Sequence, residues 1–227
     1  MKVTIHQPNY LPYLGIFHKI LQCDVFVIYD TTQLVMDRFD NRNYINVHGK
    51  KVLLTVPISS DSHFLPWAHA KVNNSFSWRE KHWKTITMAY HKAPYFAAFK
   101  DGFEKIYATH AELLPDISIP IITHILQLLG WKGKIIRSSA LPINTELRST
   151  EAILDILQNV GATAYLAGAS SKKYLNESLF TTRGLMLDYH HFTHPTYPQN
   201  GKEFISHLAA IDAIFHLGEK VKDVIHQ

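Results

Sequence analysis

The tightest constraint on the fold is a strand–helix–strand succession at the start of the chain. Val3-Thr4-Ile5 is a short β-branched run, read as a buried strand. His6-Gln7-Pro8-Asn9-Tyr10-Leu11-Pro12 breaks it with two prolines. Leu14 to Leu21 reads as a helix, with Leu14, Phe17, Ile20 and Leu21 on one face. Asp24 then precedes Val25-Phe26-Val27-Ile28-Tyr29, a continuous apolar run of the kind that is covered on both faces. Such quick succession is a βαβ unit, which requires a parallel pair and a crossover.

The rest of the chain repeats that logic around a helical stretch. Tyr44–Val47 and Lys51–Pro57 read as two strands joined at His48-Gly49. Ser59–His69 is polar and reads as a loop. Ser77-Trp78-Arg79-Glu80 has the form of a capping box opening a helix. Pro94 suits the first turn of a second helix, and Pro120 could open a third. Lys134–Arg137 reads as a strand, and Ser149 or Thr150 as the cap of a helix ended by Gly161. Ala164–Ala167 and Gly184–Tyr189 read as strands, and Leu208–Leu217 as a last helix. The expected fold is α/β, a mostly parallel Rossmann-like sheet with flanking helices and a helical insertion. No repeat or linker divides the sequence, so one domain over residues 1–227 is expected, with its helical subregion near 77–131.

Composition excludes several classes. The hydrophobic fraction of 46% is that of a globular chain. One cysteine, Cys23, leaves no internal disulfide framework and no Cys-rich zinc site. The most apolar window, Ile117–Trp131, is short of the ~18–20 apolar residues of a membrane span. No charged leader precedes an apolar stretch, so no signal peptide is expected and the protein is expected in the cytoplasm. The formal charge is only +4 and no Lys/Arg stripe appears, so nucleic acid is not an expected partner. The unusual number is 15 His, which can add up to 15 positive charges below their pKa.

Four segments could carry chemistry. His6 at the carboxyl end of the first strand sits where parallel α/β sheets bind ligands, poised as general acid or base. Gln7, Asn9 and Tyr10 would hydrogen-bond a substrate; equally, the segment could be a proline-rich turn that satisfies its own backbone. Asp30 ends the second strand, one strand over from His6, and could orient it or bind a substrate hydroxyl or amine. Arg42 can grip a carboxylate or phosphate bidentately, with Asn43 beside it; a surface Asp–Arg pair in a solvated turn is the other reading. Gly168-Ala169-Ser170-Ser171, followed by Lys172, Lys173 and Tyr174, could bring backbone amides to an anion, or be an ordinary strand–helix turn. His190, His191 and His194 invite a metal reading, but adjacent residues of a strand face opposite ways and Pro195 argues against a helical pair. No metal is therefore expected, and His194, with Tyr197 and Gln199, is read as a polar contact in a cleft.

Taken in order, several segments resemble the WbqC-like protein family. They are Ile5-His6-Gln7-Pro8-Asn9-Tyr10-Leu11-Pro12 with Leu14-Gly15, Asp24-Val25-Phe26-Val27-Ile28 with Asp30, Asn41-Arg42-Asn43, Leu54-Thr55-Val56-Pro57, Tyr165-Leu166-Ala167-Gly168, Tyr174-Leu175, His194-Pro195 with Tyr197 and Gln199, and Ile211-Asp212. The resemblance implies a bacterial protein linked to O-antigen or other surface polysaccharide synthesis. It implies a transferase moving glycine, or another aminoacyl or acyl group, onto a sugar. The substrate would then be a small molecule, a sugar or sugar nucleotide. Its matching polar residues are His6, Gln7, Asn9, Tyr10, Asp30, Arg42, Asn43, His194, Tyr197, Gln199 and Asp212. The sequence departs from the family at Thr31-Thr32-Gln33-Leu34, Ala209 and His216. A fold-level analogy gives one alternative, a nucleotidylyl or adenylyl transferase using a nucleotide with Mg²⁺, although its His-x-Gly-His motif is absent. A non-catalytic binding or scaffold protein of a biosynthetic complex is the other. Oligomeric state is not legible in the sequence.

Overall fold

The computed structural model describes residues 1–36 and 38–225. The strands are β1 (Lys2–His6), β2 (Val25–Ile28), β3 (Arg42–Val47), β4 (Lys50–Thr55), β5 (Lys134–Arg137), β6 (Ala164–Ala167) and β7 (Met186–Tyr189). The helices are α1 (Leu14–Leu21), α2 (Trp78–Tyr90), α3 (Phe96–Ala108), α4 (Pro115–Leu128), α5 (Ser149–Asn159), α6 (Glu177–Thr182), α7 (Ile211–Leu217) and α8 (Val221–Val224). The chain forms two compact units, each built from three segments. The first takes Met1–Pro8, His18–Thr32 and Lys132–Phe192; the second takes Asn9–Phe17, Gln33–Trp131 and Thr193–Gln227.

The first unit carries a five-stranded sheet in the order β5-β2-β1-β6-β7, and every neighbouring pair is parallel. Counted in chain order within the sheet this is 3-2-1-4-5, the Rossmann-like order, in which progression reverses between β1 and β6. Period-2 alternation puts Val3, Ile5, Val25, Val27, Tyr165 and Ala167 on one face. That face packs against Ile153, Leu154, Ile156 and Leu157 of α5 and Phe180 of α6. Tyr165 and Phe180 stack with centroids 5.9 Å apart. Thr4, on β1, spends its hydroxyl on the Leu166 carbonyl at 2.9 Å. The parallel α/β class expected from the sequence is the observed one.

The second unit holds the antiparallel hairpin β3–β4 and a helical core. His48 (φ 53°) and Gly49 (φ 81°) both have positive φ. A two-residue hairpin loop needs that backbone to match the strand twist. Phe215 of α7 is the hub of the helices, with ring centroids 5.3 Å from Tyr90, 5.0 Å from Phe96 and 5.5 Å from Phe103. Gly102 sits in mid-helix α3, where glycine costs about 1 kcal/mol relative to alanine. The His124 ring explains it, because a Cβ at 102 would collide with that ring.

Several boundaries differ from the sequence expectation, each for a local reason. Ser77 precedes α2 but its side chain makes no capping bond; its carbonyl accepts from Lys81 N. α4 opens at Pro115, and Pro120 lies inside it at the cost of one helical hydrogen bond. Neither Ser149 nor Thr150 caps α5: both lie within it, and the Thr150 hydroxyl accepts from Asn176 N at 3.0 Å. The last helical stretch begins at Ile211 rather than Leu208, and α8 follows α7.

Candidate functional site

The carboxyl edge of the first unit's sheet collects the groups with chemical potential. β1 ends at His6, and β6 ends at Ala167, followed by Gly168, so the chain reversal lies between them. Open α/β sheets bind ligands outside this crevice. His6 as a residue is partly buried. Its Nδ1 lies 2.6 Å from the Gln7 carbonyl oxygen. A carbonyl only accepts, so Nδ1 carries the proton and Nε2 the lone pair. Nε2 has no hydrogen-bond partner among the described residues. Burial, with Lys19 adding repulsion, pushes the His6 pKa down to about 3, so the ring is the free base at neutral pH.

Lys19 is only 2% exposed and donates to the Ile5 carbonyl at 3.3 Å. Burial lowers its pKa to about 8. Nearby, His18 Nδ1 and His190 Nε2 lie 2.7 Å apart, with Phe192 stacked on His190. His190 is held down to about 4 by burial first, then by His18, Lys19 and His191.

Asp30 stands at the same edge, just beyond β2, and is fully buried. Its Oδ2 accepts from Arg137 Nε at 2.6 Å and Ser139 Oγ at 2.8 Å. Its Oδ1 accepts from Ser138 Oγ and Ser139 N, both at 2.9 Å. In return Ser138 Oγ accepts from the backbone N–H of Asp30 and of Thr31. The loops after β2 and β5 are thus laced into one rigid piece.

Gly168 has an ordinary backbone, and a Cβ there would meet only Ser171 Oγ at 3.8 Å. The fold itself therefore does not demand glycine at this strand end. Ser170 is exposed, while Ser171 Oγ and Tyr174 Oη lie 3.0 Å apart. Gln7 is partly exposed, and its side chain makes no hydrogen bond among the described residues.

In the second unit Asn9 is partly exposed with no side-chain hydrogen bond among the described residues, and the other expected polar residues are engaged by their own chain. Tyr10 is fully buried, its hydroxyl 2.8 Å from His82 Nδ1 and 2.5 Å from the Tyr107 hydroxyl. Asn43 donates to the Leu11 carbonyl at 2.6 Å, holding Leu11 at φ 50°. Arg42 opens β3 opposite Thr55. Gln199 Nε2 donates to Asp212 Oδ1 at 2.8 Å and to the Ile205 carbonyl at 3.0 Å, while its oxygen accepts from Ile205 N. Tyr90 donates to Asp212 Oδ2 at 2.9 Å. His216 Nδ1 donates to the Asp212 carbonyl and Nε2 accepts from Asn200 N. Burial raises the Asp212 pKa, opposed by His216, Tyr90, Tyr197 and Gln199, and pushes the buried Tyr197 phenol up as well. His194 packs its ring against His207, 5.0 Å between centroids, and against Phe204 and Tyr197.

His6 and Asp30 therefore share one sheet edge within the first unit, whereas Arg42 and His194 belong to the second unit. Sequence reasoning missed Lys19, Arg137 and the His18–His190 pair. His82 and His124, which stand in no patterned segment of the sequence, are both packed into the second unit, and His226 lies outside the described residues. Among the described residues no group of three His, Cys, Asp or Glu could hold a metal ion, and no helix is long and apolar enough to cross a membrane.

The strand order defines a parallel α/β protein of the Rossmann-like class. The chain belongs to the WbqC-like protein family, whose model matches residues 7–224. It is similar to the uncharacterized protein Rv1507c of Mycobacterium tuberculosis (strain ATCC 25618 / H37Rv), at 26% identity over 99% of this chain and 97% of that one. No solved structure matches the chain.

Proposed function

We propose that the protein is a transferase of bacterial surface polysaccharide synthesis that moves an aminoacyl or acyl group onto a sugar, with His6 as general base. The observation that carries this reading is the His6 ring at the end of the central strand, with its proton committed to Gln7 and its Nε2 lone pair uncommitted. In the reaction, Nε2 takes the proton of the acceptor hydroxyl or amine. The acceptor's electron pair forms the new bond to the acyl carbon of an activated donor. The bond to the leaving group then breaks, and the leaving group departs with that pair and recovers the proton from His6. Gln7 and Ser170 are side chains of the first unit that can hydrogen-bond the substrate. An anionic substrate group would counter Lys19 and bring the His6 pKa back toward the range where base catalysis is efficient.

The test is a mass-spectrometric transfer assay with sugar acceptors and activated aminoacyl donors, comparing wild type with His6→Gln. Glutamine keeps a hydrogen-bonding side chain and removes the base. Turnover is expected to fall at least 100-fold, in line with the ~10²–10⁴-fold contribution of a positioned base. Retained turnover would remove His6 from this role. The 3-2-1-4-5 strand order favours a second reading, a nucleotidylyl transferase, since such sheets bind nucleotides at the reversal point. Mg²⁺-dependent thermal stabilisation by a nucleoside triphosphate, with release of pyrophosphate, would select it over acyl transfer.

A further inference from the structure

We infer that Arg137 is a phosphoryl-recognition residue, held in place by Asp30, and that the substrate carries a phosphate or pyrophosphate group. The inference rests on reading the carboxyl edge of the first unit's sheet as the substrate site. A guanidinium has five N–H donors in a planar fork. Arg137 spends one of them, Nε, on Asp30. Its four Nη–H donors make no hydrogen bond among the described residues, and its side chain is 38% exposed. An arginine serving only to neutralise Asp30 would be expected to face it with two N–H groups, the bidentate geometry that carboxylates favour. Here the carboxylate takes the guanidinium at Nε alone, and fills its remaining acceptor positions with Ser138 and Ser139.

The support behind the arginine is unusually stiff. Asp30 has no exposed surface, and Ser138 both donates to its carboxylate and accepts from its backbone N–H. A charged group fixed by such a shell keeps its direction without further loss of side-chain entropy on binding. Arg137 is the last residue of β5, so it stands at the carboxyl edge of the parallel sheet, the edge at which open α/β folds bind their ligands. The planar fork matches two oxygens of a phosphoryl group, which a lysine ammonium does not. Asp30 thereby becomes a positioning residue for Arg137.

The test is calorimetry on the full chain with inorganic pyrophosphate, uridine diphosphate and farnesyl pyrophosphate. The last two distinguish a nucleotide from a lipid carrier as the source of the group. The variants are Arg137→Gln, Arg137→Lys and, as a control for net charge, Arg183→Gln. Wild type and Arg183→Gln are expected to bind at least one probe equally well, with both Arg137 variants at least tenfold weaker. Should Arg137→Gln fail to fold beside the buried Asp30, Arg137→Lys keeps the positive charge and still removes the fork. The ¹⁵N resonances of the Arg137 Nη groups in wild type are expected to shift on adding the probe that binds. No binding of any probe to wild type, equal binding by Arg137→Lys, or unmoved Nη resonances would overturn the assignment. These readouts are binding rather than turnover, so they stand or fall separately from His6 catalysis.

Discussion

Asp30 and Asp212 are both fully buried carboxylates, one in each unit, and they are used in opposite ways. Asp212 is held by Tyr90 and Gln199 beside His216, and those partners have their own bonds back into the fold. Asp30 is held by two serines and by an arginine that is partly exposed and has donors to spare. A buried carboxylate costs desolvation in either setting, and hydrogen bonds must offset it. In the second unit the return is a fixed core. In the first unit it is a cation with a set direction at the sheet edge, in the same strand register as the uncommitted base His6 and two strands away. The difference suggests sorting polar residues by what their donors and acceptors still have left, rather than by residue type.

The largest effect that would break this contrast is on stability. Asp212→Ala strands a buried tyrosine hydroxyl and a glutamine amide, each worth about 1–3 kcal/mol when unsatisfied. A urea titration is expected to show a loss of about 3 kcal/mol or more. Asp30→Ala should cost less, about 2 kcal/mol, because Arg137 and the exposed Ser139 can turn to water. The reverse ranking would mean that Asp30 is the structural carboxylate.

Gly102→Ala comes next. It forces a Cβ into the His124 ring, and overpacking of this kind costs about 1–3 kcal/mol. Pairing it with His124→Ala is expected to recover most of the loss in thermal melts. Failure of the pair to recover would show that the helix, not the ring, requires glycine.

A further effect is graded by pH. Burial lowers His82 to about 4 and His190 to about 4, beside His6 at about 3. Their folded pKa values lie below the unfolded value near 6.5, so the unfolded chain binds more protons in that interval. Stability is therefore complete above about pH 6.5 and declines as pH falls toward 4. Melting temperatures should drop across that window, and His82→Gln should flatten part of the slope. A profile that stays level between pH 6.5 and 4 would place these rings in water.

Much of the scaffold was legible and little of its wiring was. The apolar runs Val25–Ile28 and Ala164–Ala167 announce strands covered on both faces, and both are fully buried. His6 was found because a histidine ending a strand before two prolines is a local pattern. Arg137 satisfies the same criterion, a charged residue at the carboxyl end of a strand, but its partner Asp30 is 107 residues away. The His18–His190 contact spans 172 residues and Tyr90–Asp212 spans 122. No periodicity encodes such distances. Tyr10, Tyr197 and Gln199 illustrate the complementary failure: their residue types suit substrate contacts, yet their hydrogen-bonding capacity is engaged inside the second unit.

The histidines divide along the same line. Among the described histidines, His6 alone combines a strand-end position, a fixed proton and an uncommitted nitrogen. The most direct measurement is a long-range ¹H–¹⁵N correlation spectrum of the imidazole nitrogens at pH 7, with His6 assigned through His6→Gln. The account requires a neutral His6 ring protonated at Nδ1, with Nε2 carrying the lone pair, and with no titration until the pH falls below about 4. An Nε2–H tautomer, or an imidazolium at pH 7, would contradict it.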